Sequence, residues 1–284
     1  MLNNQLSIII IAKNNPKELK ITLESLTPFY KKELNSNLFE ILIIDKSNNK
    51  LIKDLYLEYK KSKYTNLCYY RQHDVGIFFA FNIGIKKALG RYLWFLNSGD
   101  TFAKEIDINI LLKDISSFNN SIIIYRTKIF SQFHKKLIGE QPIFFPKNIF
   151  IYKILNFFFP YSFGFCHQST LFRRDFHLEN IYEYPNMIGQ DSKLIQKGLR
   201  SGDFRLFNII LSNFYLGGIS SSIPKTHKLF IKILKDRLKN LQLISAISLI
   251  FKSFFIQNNY RLEKIIYFRN KVLRKIFLFL NFHK

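Results

Sequence analysis

Residues 73–100, HDVGIFFAFNIGIKKALGRYLWFLNSGD, decide the fold. After a polar turn, Ile77, Phe81, Ile85 and Ala88 recur at helical spacing and predict an amphipathic helix, with Gly90 as its C-cap. RYLWFL follows with no polar alternation, as expected of a short strand buried on both faces. It ends on NSGD, four turn formers that present one carboxylate, Asp100. Helix, buried strand and polar loop together form the repeating unit of a sheet with covering helices.

The same unit recurs upstream. LSIIIIA and FEILIID are short continuous apolar runs that read as buried strands, and NLCYYR as a third. Between the first two, Pro16 stands near a helix start, and Leu19, Leu23 and Leu26 follow at helical spacing. A lysine-rich helix over about 51–61 joins the second strand to the third. Asn14, Asp45, Asp74 and Asp100 then lie just past the carboxyl ends of four successive predicted strands. Open α/β sheets bind ligands at that edge, so four polar residues at equivalent ends point to one crevice. For each residue the alternative is a surface turn, which needs no ligand.

Beyond Thr101 the pattern is less regular. SIIIYRTKIF reads as one or two strands, GFCHQSTLFRR as a strand, and GQDSKLIQKGLRSG as a helix opening near Asp191 and ending at Gly202. FNIILSNFYLGGISS gives a last strand and a Gly-Gly loop. IFIYKILNFFFPYSFGFC is apolar, but Lys153 and Pro160 interrupt it, so a buried or interfacial segment is expected and not a membrane span of ~20 residues. The domain reading is 1–224 as one α/β domain and 225–284 as a basic helical tail.

The 284 residues carry a formal charge of +23, with 31 Phe and 15 Tyr. This composition buries a core and is not that of a disordered chain. Cys68 and Cys166 have no metal-ligand spacing and form no disulfide framework, which fits a reducing compartment. The N-terminal apolar run lacks a basic flank and a cleavage site and reads as a strand, not a signal peptide. From Lys225 to Lys284 there are 14 Lys or Arg against two acids, with apolar residues at three and four between them. Such amphipathic helices either lie on an anionic membrane surface or pack on the domain with a basic face in water. No helix-turn-helix, zinc or RNA-sheet motif accompanies the charge, so nucleic acid is not the expected partner.

In LSIIIIAKNN, FEILIIDKSNN, the 73–100 block, CHQSTLFRR, GQDSKLI and LGGISS, over residues 5–222, the sequence resembles the inverting glycosyltransferases of family 2. Within them it is similar to the colanic-acid type of exopolysaccharide transferase. The resemblance implies the GT-A nucleotide-sugar-binding fold, a Rossmann-like mixed sheet with helices on both faces, followed here by C-terminal amphipathic helices. It implies transfer of a sugar from a nucleotide diphosphate sugar, most often UDP in this family, to a bacterial surface glycan with inversion. That acceptor is commonly carried on a lipid diphosphate, which places the protein in the cytoplasm at the inner face of the cell membrane.

The resemblance also assigns residues. Asp45 matches the acid that contacts the nucleotide base; by position alone it is equally a loop-capping acid. Ala12 and Asn14 fall where backbone lines the same base, although AKNN replaces the family's Pro-Thr-Tyr-Asn. Asp74 and Gly76 match the loop at the ribose. Asp100 matches the last acid of a DxD-like motif, here Asn97-Ser98-Gly99-Asp100, which holds Mn²⁺ or Mg²⁺ against the diphosphate. With one carboxylate in place of two or three, the diphosphate and water must complete that site. The thinned motif also leaves open a catalytically inactive sugar-nucleotide-binding homologue.

Asp191 matches the catalytic base; without the resemblance it is an ordinary acid at a helix N-terminus. His167, Gln168 and Arg173 match blocks near the diphosphate or acceptor. A lone His is more often hydrogen-bonded structure, and Arg173 equally ends a basic strand. Phe78-Phe79 stands where the family carries Tyr-Asp, which signals either altered donor choice or packing.

Overall fold

The computed structural model describes residues 4–30, 38–62, 64–74, 76–131, 136–142, 165–183 and 190–216. The predicted tail from 225 and most of the apolar segment near 150–165 lie outside the described residues. The chain divides into two compact units, Met1–Thr127 with Cys166–Phe214, and Lys128–Phe165 with Tyr215–Lys284.

The first unit is built on strands that sequence alone makes apolar throughout. β1 (Leu6–Ala12) lies between β2 (Phe39–Asp45) and β4 (Tyr92–Asn97), parallel to both, and β3 (Leu67–Arg71) pairs parallel to β2 on the outside. The remaining strands are β5 (Thr101–Phe102), β6 (Ile122–Phe130), β7 (Leu137–Gln141), β8 (Thr170–Arg173) and β9 (Phe204–Tyr215). The sheet runs β3-β2-β1-β4-β8-β6-β9-β5, with β7 paired to β6. β4–β8, β8–β6 and β9–β5 pair antiparallel, so the sheet is mixed, as the GT-A resemblance implied and as a βαβ reading alone would not give.

Helices cover the parallel half. α1 (Pro16–Ser25) starts on its proline and buries Leu19 and Leu23; α2 (Leu51–Ser62) buries Ile52 and Tyr59. α3 (Ile77–Lys87) buries Phe78, Ala80, Phe81, Gly84 and Ile85. α4 (Ile108–Ser117), which the periodicity left unread, is capped by Asp107, whose carboxylate accepts from the N–H groups of Asn109 and Ile110. α5 (Arg174–Leu178) and α6 (Gln190–Ser201) complete the unit; Gly202, at φ +78°, ends α6 as expected.

Gly90 corrects the sequence reading. α3 stops at Lys87, with Ala88 as its cap, and Gly90 has a different task. Its N–H donates to Ser7 Oγ, and a Cβ there would stand 2.5 Å from the Ser7 backbone nitrogen. Close approach to β1 therefore demands the glycine. Gly84 makes the matching approach, since its Cβ would meet Ile9 Cγ2 at 2.4 Å.

Candidate functional site

Register places the loops. Ala12 pairs with Asp45, Ile11 with Asn97, and Asp45 with Arg71, so four strands end at one edge of the sheet. The ends of β2 and β4 flank β1, about 10 Å apart at ordinary strand spacing.

The first two loops are tied together by side chains. Asn14 sits at φ +56°, a conformation asparagine tolerates better than most residues. Its N–H donates to Ser47 Oγ at 2.7 Å, and its Oδ1 accepts from Asn48 N at 2.9 Å. Ala12 contributes its carbonyl to the Lys46 N–H. Asp45 is fully buried: Oδ1 accepts from Ser47 N at 2.7 Å, and Oδ2 from Tyr69 Oη at 2.7 Å and Arg71 Nη1 at 2.9 Å. The acid thus organises Tyr69 and Arg71 along the β3 end, and the Arg71 guanidinium also donates to the Ser47 carbonyl.

The third loop hangs on Gln72, which lies directly after β3 and is buried. Its N–H donates to the Asp45 carbonyl, and its Nε2 donates to the carbonyls of Asp74 at 2.9 Å and Gly76 at 2.8 Å. Asp74 itself is exposed, and Gly76 adopts φ +128°, which favours glycine.

The fourth loop turns at Gly99, at φ +102°. Ser98 bonds the Ile11 carbonyl through both N–H and Oγ, and Gly99 N–H donates to Thr22 Oγ1. Asp100 is buried, and its Oδ2 accepts from Asn97 N at 3.2 Å and Asn97 Nδ2 at 3.0 Å. Asn97 Oδ1 is buried without a hydrogen-bond partner. An acceptor oxygen left over beside a carboxylate suits a hard, oxygen-seeking cation. Among the described residues no cluster of three His, Cys, Asp or Glu could hold a metal.

Asp191 stands in the first turn of α6, which packs on the turn His167–Ser169. Burial pushes its carboxyl above the ordinary range, and backbone N–H groups at the helix start, chiefly that of Ser192, oppose the shift. The charges of Asp100 and Asp191 both act on the Cys166 thiol, which burial before all else pushes up to about 12. The helix carrying Asp191, 91 positions from Asp100 in the chain, packs on the turn directly after Cys166.

His167 and Gln168 are taken up by the core in that turn. The His167 ring stacks on Phe95 at 4.7 Å and 17°, its Nε2 meets Tyr182 Oη at 3.0 Å, and burial holds its pKa down to about 3. Gln168 accepts from Trp94 Nε1 through its carbonyl and from the Cys166 thiol through Oε1. Phe78 packs on Tyr182 at 4.6 Å, a core contact in place of the family's Tyr-Asp. Arg173 is not brought to the crevice. It pairs with Tyr92 at the start of β4, about 17 Å of strand from Asn97, and bonds Asp175 and the Asn119 carbonyl. Antiparallel β8 runs away from the site, which the linear order of motifs conceals.

Two residues that hold the loops, Arg71 and Gln72, and two that tie α3 to the segment after α5, Asn82 and Tyr182, went unread in the sequence. Arg71 and Gln72 had a signal, since Arg71 ends the third strand as Asp45 ends the second, and Gln72 follows directly. Asn82 had none; its amide reaches 100 positions to the Tyr182 backbone, donating to its carbonyl at 2.8 Å and accepting from its N–H at 3.1 Å.

The family model described as Glycosyl transferase family 2 matches residues 7–181. An uncharacterised glycosyltransferase of Rickettsia felis is 31% identical over 191 residues, 66% of this chain and 28% of its own length. A second, from Rickettsia conorii, is 38% identical over 81 residues, 28% of this chain and 13% of its own. This chain thus spans a minor part of both curated relatives. Among solved structures, S. aureus TarS residues 1–349 superposes with a TM-score of 0.58 at 16% identity, covering 82% of this chain and 65% of that one. TarS has also been solved with UDP and with UDP-GlcNAc. At such identity the likeness is one of fold.

Proposed function

Because the chain belongs to glycosyl transferase family 2, we propose that it moves a hexose or N-acetylhexosamine from a UDP-sugar to a bacterial surface glycan, with inversion. The observation that carries this reading is the gathering of the loops after β1, β2, β3 and β4 at one sheet edge, with Asp45 and Asp100 buried in two of them. The UDP and UDP-GlcNAc complexes of TarS, which shares the fold, support the choice of donor.

The chain's own residues divide the work. The loops at Ala12–Asn14, Asp45–Ser47 and Asp74–Gly76 receive base and ribose. Asp191 accepts the proton of the attacking hydroxyl; a carboxylate of raised pKa is the better base near neutrality. Asp100 and Asn97 Oδ1 would hold Mn²⁺ or Mg²⁺, which when bound neutralises charge on a leaving nucleoside diphosphate. The acceptor reaches the enzyme on a lipid carrier at the inner membrane face, where the tail from 225 to 284 docks. The described residues hold 23 Lys and Arg against 17 Asp and Glu, so most of the +23 lies elsewhere in the chain. No helix among the described residues is long and apolar enough to cross a membrane.

The test is thermal stabilisation by UDP and UDP-sugars with and without Mn²⁺, together with release of UDP. Saturation at about 100 times Kd should add ~2.7 kcal/mol. Wild-type turnover in both Asp100→Ala and Asp191→Ala would show that the chemistry lies elsewhere.

A further inference from the structure

We infer that Thr22 and Ser25 of α1 are positioning residues for Asp100: their hydroxyls brace the loop that keeps Asn97 Oδ1 beside the Asp100 carboxylate. This rests on the metal role proposed above for Asp100. Three residues apart on a helix, the two side chains share a face. Thr22 is fully buried, and its Oγ1 accepts the Gly99 N–H at 2.8 Å. Ser25 Oγ accepts the Phe102 N–H at 3.0 Å and donates to the Thr22 carbonyl at 2.7 Å. The helix therefore takes hold of the chain on both sides of Asp100, directly before it and shortly after it. The Thr22 hydroxyl is itself oriented, since it donates to the Glu18 carbonyl one turn back at 3.2 Å.

Each part of the loop has a different anchor. Its entry is tied to β1, where Ser98 bonds the Ile11 carbonyl through N–H and Oγ. Its apex is Gly99, at φ +102°, and there the hold is Thr22. Its exit is held by Ser25. Within it, Asp100 N–H donates to the Asn97 carbonyl at 3.0 Å, and Asn97 Nδ2 donates to Asp100 Oδ2 at 3.0 Å. Loss of the Thr22 hydroxyl leaves the entry fixed and strands the Gly99 N–H, which then finds a partner only by moving the apex toward water. The Asp100 carboxylate moves with it. α1 also begins directly after the Asn14 loop, which is tied to Ser47 and Asn48, so one helix joins the nucleotide loops to the acid loop. Groups that orient a metal ligand from behind are worth ~10–100-fold in metal affinity.

Thr22→Val tests the inference, since it keeps the branched shape and removes the hydroxyl, while Thr22→Ser keeps the hydroxyl. UDP is titrated calorimetrically into the full chain with Mn²⁺ and with EDTA, and the ratio of the two affinities reads what the cation adds. In Thr22→Val that ratio should fall about tenfold, with the affinity in EDTA within about twofold of wild type. Ser25→Ala should lower the ratio as well, and Thr22→Ser should retain it. An unchanged ratio in both Thr22→Val and Ser25→Ala would overturn the inference. So would affinities that fall equally with and without Mn²⁺, because a merely structural hydroxyl weakens both alike. Asp100→Asn separates the two readings. If it abolishes the ratio while Thr22→Val keeps it, the positioning role alone fails; if it keeps the ratio, the metal role of Asp100 is refuted and the positioning role falls with it.

Discussion

Replacing Gln72 by Leu separates the function of the third loop from its stability. The side chain is buried and donates two hydrogen bonds, to the carbonyls of Asp74 and Gly76. Leucine fills similar space and donates neither. Each such bond contributes ~1 kcal/mol net, so their joint loss costs about 2 kcal/mol if both carbonyls stay unsatisfied. Asp74 is exposed and its carbonyl finds water, which trims the figure toward ~1.5 kcal/mol. The loss falls on a short loop at the sheet edge, and the core packed by Leu6, Ile41, Trp94 and Leu171 does not feel it. Binding nucleotide must then supply the order that those two bonds gave the loop. At 1.4 kcal/mol per decade, affinity for UDP should weaken about tenfold, with the apo melting temperature lower by only a few degrees. Calorimetric titration of UDP in Mn²⁺ measures the first quantity and thermal unfolding the second. A UDP affinity within twofold of wild type, at any melting temperature, would refute the assignment of this loop to the nucleotide.

Three further outcomes are expected. Asp191→Asn should lower kcat by ~10²–10⁴ with UDP affinity unchanged. In the wild type, activity should disappear as pH falls through a midpoint above the ordinary carboxylate range, the direction in which burial moves Asp191. Gly90→Ala drives a Cβ to 2.5 Å from the Ser7 backbone and should destabilise by ~1–3 kcal/mol, read as a lower urea midpoint. His177 is fully buried, its two ring nitrogens lack partners, and burial lowers its pKa to about 3. Its folded pKa lies below its unfolded one, so its contribution is intact above ~6.5 and declines as pH falls toward 3. The loss reaches about 2 kcal/mol by pH 5, and His177→Phe should flatten that part of the stability curve.

The parallel half was legible because its strands are buried on both faces and read as unbroken apolar runs. LSIIIIA, FEILIID and YLWFLN needed no tertiary information, and their ends located the loops. The other half was legible as strands, in SIIIYRTKIF, GFCHQSTLFRR and FNIILSNFYLGGISS, but not in direction, since β8 is four residues long and a short turn precedes it. Strand direction is invisible in so short a run, which is why Arg173 was expected at the crevice and lies at the opposite edge. Asp45 was legible as a strand-end acid, but its bonds to Tyr69 and Arg71 depend on the pairing of β2 with β3. Gly90 shows the same boundary: composition marks a break, and only the neighbouring strand explains it.

The two halves of the sheet meet along β4 and β8 at three residue pairs, Tyr92 with Arg173, Leu93 with Phe172, and Trp94 with Leu171. Asp100 joins β4 to β5, and β5 pairs with β9, so its loop is anchored on both sides of that junction. The loop that carries this carboxylate is thus held by packing that lies well below it in the sheet. Substitution at Leu93 or Phe172 would be felt at that loop, so tolerance to mutation in this chain will not fall off smoothly with distance from it.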